Sequence, residues 1–240
     1  MRFSLLQKEV GSMYIYNAFN QSPKILIPSD YILSYDFNGN LIDGSSNNNS
    51  GSSEGTTAFI SGRKSGKQAI NFSNGRVTPQ KVTVLTGTNK LTISLWINTT
   101  QTGVSIPFES NEVGFGTSFN EFSNSSFSFI DILAFSDYSH WNIKYSNVLI
   151  NDGNWHHLVL VINRDNPSNT TISIYIDSVL SALNTGYGLN AENNENFLNS
   201  TALRIGADNI FSYPFIGSMS EFKIYPRVLT DAEIIQLYNE

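Results

Sequence analysis

The sequence predicts an all-β protein, a sandwich of two antiparallel sheets that ends in one short helix. Hydrophobic and polar residues alternate along several short segments, which is the pattern of strands with one buried face. Clusters of Asn, Asp and Gly separate these segments and supply turns between them. A helical pattern appears only near the C-terminus, so the strands are expected to pack as two sheets face to face.

The predicted strands are of two kinds. Residues 91–98 and 171–177 alternate, whereas residues 126–135 and 155–162 are apolar on both faces. Strands of the second kind are expected in the middle of a packed sandwich, where both faces are covered. In the alternating segments, the residues expected to share one apolar face are Leu91, Ile93, Leu95 and Ile97, and Ile172, Ile174 and Ile176.

The single predicted helix covers about residues 231–238. Thr230 can cap its first turn, while Glu233 returns a hydrogen bond to the Thr230 amide. Leu229 and Ile234 flank this capping box in the positions of a hydrophobic staple. The side chains expected to lie on the sandwich are Ile234, Ile235, Leu237 and Tyr238.

Composition narrows the function classes. The formal net charge of -6 disfavours a nucleic-acid partner, because binding a phosphate backbone requires cationic contacts. The chain of 240 residues contains no cysteine, which excludes disulfides and thiolate metal sites. No apolar run is long enough for a membrane span. Residues 1–30 lack the layout of a signal peptide, which predicts synthesis in the cytoplasm, with extracellular export by a non-Sec route as the alternative.

Two parts of the chain differ in pattern. Residues 30–240 carry the sandwich, whereas the apolar side chains of residues 1–29, the N-terminal arm, follow no regular period. A free apolar tail would expose too much hydrophobic surface, so the arm either adds a strand to the sandwich or docks on another subunit. Within the sandwich, the Ser/Asn-rich residues 44–55 are interpreted as a flexible surface loop rather than an ordered binding loop.

Five motifs follow one another in a fixed order. They are YDFNGNLID (35–43), DGNWHH (152–157), ISIYID (172–177), FIGSMSEFKIY (215–225) and TDAEII followed by LY (230–238). Together they resemble the laminin G-like branch of the concanavalin A-like lectin/glucanase superfamily, over about residues 30–240. The resemblance implies a concanavalin A-like jelly-roll sandwich. For function, it implies a non-enzymatic recognition module that binds carbohydrate or another surface ligand.

No catalytic residues are predicted. The glucanases of the superfamily carry a Glu-X-Asp-X-X-Glu strand, which this sequence lacks. Glu109 and Glu112 would face opposite sides of a strand, and Glu192 and Glu195 lie in a loop-like segment. A polysaccharide-active hydrolase or lyase remains as the less favoured alternative.

The adjacent residues His156 and His157 are interpreted as structural. Neighbouring strand residues point to opposite faces, so the two imidazoles cannot chelate one metal ion together. In the family that the motifs resemble, Trp-His-His is a fold signature at the start of a core strand, where the tryptophan and one imidazole pack and hydrogen-bond.

Calcium is the predicted cofactor. Residues 36–43 place four oxygen-bearing side chains around a Gly turn, as a hard cation requires. Members of the resembled family often bind one Ca²⁺ where this segment meets the C-terminal strand, in which Ser220 and Glu221 here replace the usual acidic pair. The alternative is a turn held together by its own side-chain-to-backbone bonds. The predicted metal ligands are Asp36, Asn38, Asn40, Asp43 and Glu221.

A polar–aromatic cluster over residues 137–142 is the predicted glycan contact, with Tyr138, His140 and Trp141 as the ligand-binding residues. Exposed aromatic rings stack on sugars, and neighbouring Asn and Asp side chains bind hydroxyl groups. The alternative is that these rings cover an edge of the core.

The predicted partner is a glycan or another cell-surface ligand. A cysteine-free, Asn-rich domain of this kind also suits a phage virion protein of the capsid, fibre or tail, joined to other virion proteins through residues 1–29. In the alternative, the chain is a purely structural decoration protein that binds other proteins. Both readings are compatible with an oligomer.

Overall fold

The structure is a computed structural model, and its backbone elements are antiparallel strands followed by one helix. It describes residues 8–9, 12–13, 27–80, 88–110, 114–121, 126–134, 140–165, 170–186 and 202–240, with the backbone alone at 8–9, 12–13, 128–134 and 140–142. The elements are β1 (Lys8–Glu9), β2 (Ser12–Met13), β3 (Leu33–Tyr35), β4 (Gly51–Ser61), β5 (Gln68–Pro79), β6 (Lys90–Asn98), β7 (Phe108–Ser110), β8 (Gly114–Phe119), β9 (Phe127–Ala134), β10 (His140–Ser146), β11 (Trp155–Asn163), β12 (Thr171–Ile176), β13 (Val179–Leu180), β14 (Asn184–Thr185), β15 (Leu203–Ile205), β16 (Gly217–Tyr225) and α1 (Asp231–Asn239).

Most of the strands belong to one curled antiparallel sheet. Its hydrogen-bonded order is β13-β12-β11-β6-β16-β5-β15-β7-β8-β9-β10-β14, with β3 also paired to β16 and β4 to β5. The curl brings its two ends face to face around a common core, which confirms the predicted all-β, concanavalin A-like sandwich.

Strand β16 pairs with three other strands of this sheet. One of its edges pairs with β6, whereas its other edge pairs with β5 over residues 217–219 and with β3 over residues 222–224. The change of partner falls at an irregularity between Ser220 and Lys223, which we call the β16 bulge. Within it, Glu221 has a left-handed backbone with φ of 55°. This conformation costs a residue with a Cβ roughly 1–3 kcal/mol, so neighbouring contacts must hold it.

The core lies between the two halves of the curled sheet. The predicted apolar face of β6 is fully buried, and aromatic residues of β7, β8 and β9 pack into the same cluster. The rings of Phe108 of β7 and Phe222 of β16 meet edge to face with centroids 5.3 Å apart. Burying each such side chain stabilises the fold by roughly 1.5–3 kcal/mol.

Helix α1 covers the outer face of the sheet at β11. The predicted capping box is confirmed, because Thr230 accepts from the Glu233 amide and Glu233 accepts from the Thr230 amide. Ile234 and Leu237 pack in a second apolar cluster with two valines of β11, which is therefore buried on both faces as predicted. The prediction for Ile235 was wrong: it is 45% exposed, because it lies on the side of the helix away from the sheet.

The interpretation of residues 44–55 as a flexible loop was wrong for residues 51–55. Residues 51–61 form strand β4, which pairs with β5 along its length. Most side chains of β4 are exposed, so its sequence carries no apolar alternation. Its order comes from the backbone hydrogen bonds to β5 rather than from buried side chains.

Little of the N-terminal arm is described. Strands β1 and β2 pair with each other, and the other residues of 1–26 lie outside the described part. Both roles predicted for the arm therefore stay predictions. Helix α1 has nine residues, and no helix of the described ranges is long and apolar enough to cross a membrane.

Replacing Ser178 by Gly is expected to stabilise the fold. Asp177 and Ser178 form the two-residue turn between β12 and β13, and both have positive φ, 52° and 66°. Turns of this kind favour Gly at the second position because Gly has no Cβ. Ser178→Gly should raise the free energy of unfolding by about 0.5–1 kcal/mol, measured by urea denaturation. The matched control is Ser65→Gly at an exposed turn position without positive φ, which should not stabilise; equal gains would contradict the argument.

Candidate functional site

The carboxylate of Asp43 is fully engaged with its own segment. Oδ1 accepts hydrogen bonds from the backbone N–H groups of Ser34 and Ser45, both at 2.9 Å. Oδ2 accepts from the Asn49 N–H at 2.8 Å and from the Ser45 hydroxyl at 2.6 Å. Burial alone would raise the pKa of Asp43, but these hydrogen bonds outweigh it and hold the pKa below its usual value.

The other three predicted metal ligands of the N-terminal segment have different contacts. The Asn40 side chain accepts from the Ile42 N–H at 3.0 Å and donates to the Asn38 carbonyl. The Asn38 side-chain oxygen accepts from the Gln68 N–H at 2.9 Å, which ties the segment to the start of β5. Asp36 is exposed, and its carboxylate has no hydrogen-bond or ion-pair partner in the described ranges.

Glu221 makes the densest ion-pair contact of this region. Its Oε2 accepts from Arg63 Nε at 3.0 Å and from Arg63 Nη2 at 2.7 Å, and its Oε1 accepts from Lys64 Nζ at 2.5 Å. Only 19% of the Glu221 side chain is exposed. Burial alone would raise the pKa of Glu221, but the bonds from Lys64 and Arg63 outweigh it, so the pKa lies below its usual value.

These two cations stand on a hairpin tip that is anchored to the sheet. Residues 62–67 join β4 to β5, and a 2.8 Å hydrogen bond joins the backbone of the first residue to that of the last. The Arg63 guanidinium lies 3.9 Å from the centroid of the Trp96 ring. Trp96 in turn stacks with Tyr238 of α1 at 5.5 Å and with His157 at 5.0 Å. The guanidinium is therefore held by both a carboxylate and a buried aromatic ring.

A cleft of about 200 Å³ opens beside Glu221, where the pairing of β16 passes from β5 to β3. We call it the β16 cleft. A second ion pair in its wall joins Lys223 to Glu240 at 3.0 Å. The lining residues are all polar or charged: Asp36, Asn38, Arg63, Lys64, Lys67, Gln68, Ser220, Glu221, Lys223 and Glu240.

The five predicted metal ligands do not fit a single Ca²⁺ site as they are placed. Asp36, Asn38 and Glu221 line the β16 cleft, whereas Asn40 and Asp43 do not. A Ca²⁺ ion requires six to eight oxygen ligands, but the Asp43 oxygens already accept four hydrogen bonds and Glu221 is neutralised by two cationic side chains. Among the described residues, no group of three or more His, Cys, Asp or Glu side chains could hold a metal ion. Calcium binding stays a prediction.

The predicted glycan contacts lie elsewhere in the sheet. Tyr138 is outside the described residues, and for His140 and Trp141, which begin β10, the structure describes the backbone alone. In the hydrogen-bonded order four strands separate β10 from β5, so the cluster 137–142 and the β16 cleft belong to different strands of the sheet. A glycan contact at this cluster stays a prediction.

The two adjacent histidines have separate environments, as predicted. The His156 imidazole lies between two carboxylates, with Nδ1 2.8 Å from Asp177 and Nε2 3.1 Å from Asp152. The His157 imidazole is buried and stacks on Trp96. Burial, together with the charge of the neighbouring arginine, lowers the pKa of His157 to about 4, so this ring is neutral. Both histidines therefore have structural partners.

Of the acidic residues weighed for catalysis, the structure describes one. Glu109 on β7 pairs with Arg204 at 3.1 Å, and burial raises the pKa of Glu109 despite that pairing. Glu112, Glu192 and Glu195 lie outside the described residues.

The sequence analysis missed the cationic side of the β16 cleft. The hairpin tip supplies Arg63, Lys64 and Lys67, three of the fourteen Lys and Arg residues of the chain, within five positions. This local concentration of positive charge in an acidic chain was a detectable signal. Its pairing with Glu221 was not, because the partners are 157 and 158 residues apart.

Comparison with known families agrees with the fold. Residues 71–235 match a laminin G-type family described as concanavalin A-like lectin/glucanases superfamily. The match covers more than half of the chain, so the chain belongs to this superfamily, and the resemblance of its motifs is confirmed. Among curated proteins, no sequence matches the chain significantly.

Solved structures of similar fold come from bacterial proteins. Domain 4 of AbnA, a GH43 extracellular arabinanase from Geobacillus stearothermophilus in complex with arabinotriose, is 18% identical with a TM-score of 0.67; the match covers 87% of this chain and 98% of that domain. The binding domain of Paraclostridial Mosquitocidal Protein 1 is 15% identical with a TM-score of 0.64, covering 88% of this chain and 52% of that one. The binding domain of botulinum neurotoxin DC, solved in complex with rat synaptotagmin II, is 16% identical with a TM-score of 0.66, covering 89% and 52%. This chain thus spans about half the length of the toxin domains, and at these identities the likeness shows the fold.

Replacing Asp43 by Asn is expected to lower the free energy of unfolding by about 2 kcal/mol. Each Asp43 oxygen accepts from a backbone N–H, so the amide NH₂ of Asn would face a donor in either orientation. Chemical denaturation measures the loss. The matched control is Asp36→Asn, the same change at an exposed carboxylate, and an equal loss in both variants would contradict the role of Asp43.

Stability is expected to fall as pH rises through neutrality, because of His156. Burial alone would lower the pKa of His156, but its bonds to Asp177 and Asp152 outweigh this and raise the pKa above its ordinary value. The contribution of a group with a raised folded-state pKa is complete below the unfolded pKa, about 6.5, and is lost as pH passes through the folded pKa. Melting temperatures between pH 6 and pH 9 test this, and His156→Gln should flatten the profile. An unchanged slope in the variant would show that another group titrates.

Proposed function

We propose that this chain is a non-enzymatic recognition domain that binds carbohydrate in the β16 cleft. The observation that carries the proposal is the lining of the cleft, in which every side chain is polar or charged. Two of these, Asp36 and Lys67, have exposed side chains that no other described residue engages. Such groups are available to a ligand without breaking a contact of the fold.

The chemistry of the cleft suits a hydroxyl-rich ligand. The Asp36 carboxylate accepts hydrogen bonds and the Lys67 ammonium donates them, while the side-chain amides of Asn38 and Gln68 can do both. Its volume is below the roughly 300–1,000 Å³ of pockets for drug-sized molecules, so it fits one unit of a longer glycan. Among the described residues, no aromatic side chain lines the cleft, and recognition would rest on hydrogen bonds and charge.

The similar structures support a binding role. One is a domain solved with arabinotriose, and others are receptor-binding domains of toxins, one of them solved with SialylT. Glu109, the described carboxylate among those weighed for catalysis, is paired with Arg204 rather than with a second acid, which supports a domain without hydrolytic function. Since fold alone does not determine function, the cleft and not the likeness carries the proposal.

Display on a phage particle is a further proposal for the same chain. It would place residues 1–29 against other virion proteins, with the sandwich exposed to a cell-surface ligand or serving as decoration only. It rests on the composition of the sequence and on the unperiodic apolar arm. Incorporation of full-length and arm-deleted chains into particles would test it.

Glycan binding is tested with a double variant of the two unpaired charges. The wild-type chain is expected to bind at least one class on a glycan panel, and Asp36→Asn with Lys67→Gln should weaken that binding about tenfold or more, since each lost charged hydrogen bond removes about 1.5–3 kcal/mol. Calorimetric titration with the captured glycan measures the affinity.

The matched control is Lys90→Gln with Asp165→Asn. The two side chains form an ion pair of 2.5 Å at the start of β6, six residues or roughly 20 Å from Trp96 along the strand. This control removes one positive and one negative charge, as the Asp36/Lys67 variant does. Its affinity should equal that of the wild type. Binding that survives the Asp36/Lys67 change would place the glycan outside the cleft, and no capture on the panel would argue against the carbohydrate.

A further inference from the structure

The irregularity in strand β16 creates a need for positive charge. Glu221 has a left-handed backbone at the point where the pairing of β16 passes from β5 to β3, and its side chain is largely buried. A carboxylate removed from water in this way requires a compensating cation or a set of donors. A metal ion is one way to supply that charge. The sequence predicts such an ion where residues 36–43 meet β16, at the edge of the cleft that we call the rim.

The chain itself supplies the charge at this point. Arg63 and Lys64 together direct three N–H donors at the two Glu221 oxygens, so both oxygens are engaged. A divalent ion on Glu221 would have to share or displace the Lys64 ammonium on Oε1 or the Arg63 guanidinium on Oε2. It would also stand beside two positive charges, which repel it.

The position of the Arg63 guanidinium is fixed independently of Glu221. The backbone hydrogen bonds of residues 62–67 close the hairpin tip, and Arg63 stacks on Trp96, which is 7% exposed. Trp96 itself packs against both Tyr238 and His157, whose rings lie 6.1 Å from each other. The guanidinium is thus preorganised by the core.

We propose that Arg63 and Lys64 form a built-in cation at this rim, which takes the place of a bound divalent metal and holds the β16 bulge in its conformation. The rim is therefore ordered without calcium. This inference concerns the order of the rim and holds whether or not the β16 cleft binds carbohydrate.

The first test is the response of the wild-type chain to metal. Its melting temperature is expected to be the same in CaCl₂ and in EGTA at matched ionic strength, and Tb³⁺ excited through tryptophan should show no emission that depends on Glu221. A rise in melting temperature with Ca²⁺, or Tb³⁺ emission that Glu221→Gln abolishes, would overturn the proposal.

The second test removes the built-in cation with Arg63→Gln and Lys64→Gln. This variant is expected to melt at a lower temperature than the wild type, and Ca²⁺ should restore part of the lost stability, because Glu221 then lacks both of its cationic partners. A variant as stable as the wild type would overturn the claim that the pair holds the bulge. A destabilised variant that Ca²⁺ leaves unchanged would overturn the claim that the pair stands in place of a metal.

The matched control is Arg76→Gln with Lys90→Gln. Arg76 also combines a carboxylate, Glu54, with an aromatic ring, Phe211 at 4.5 Å, and Lys90 pairs with Asp165. This variant loses the same two charges elsewhere on the sheet. Its melting temperature should not respond to Ca²⁺, and an equal response would attribute the effect to net charge and overturn the proposal.

Discussion

The sharing of strand β16 between three neighbours is the constraint on which the rest of the structure depends. Along one edge, β16 pairs with β6. Along its other edge, its first half pairs with β5 and its second half pairs with β3. The change coincides with the irregularity in the pairing of β16 with β6, where Glu221 has a left-handed backbone. The β16 cleft lies where the pairing passes from β5 to β3, so the change of partner coincides with the candidate binding surface.

The C-terminal helix is connected to that surface through a stack of side chains. Tyr238 of α1 lies on Trp96 of β6, and the Arg63 guanidinium of the hairpin tip lies over the same indole. The helix thus does more than bury Ile234 and Leu237, because it helps to fix a cation that reaches Glu221. A change in the docking of α1 would therefore alter the position of Arg63 in the wall of the cleft, although no residue of α1 itself lines the cleft.

The concanavalin A-like fold is suited to a binding role, but it does not determine which ligand is bound. Its strands set a rigid frame, and the loops and hairpin tips at its rim carry the groups that differ between members. In this chain the rim has charged side chains on both sides of the cleft, most of them paired with each other and two of them unpaired. Local side-chain chemistry, rather than the common frame, therefore decides what can bind.

The sequence by itself determined the features whose interactions are local. The alternation in β6 and the capping box of α1 act within a few residues, so they are visible in the chain and the structure confirms them. Strand β4 was missed because its order depends on the distant backbone of β5, not on its own apolar residues. The pairing of Glu221 with Arg63 and Lys64 across more than 150 residues has no local pattern. Only the tertiary structure decided it, because the pairing of β5 with β16 brings the hairpin tip against the bulge.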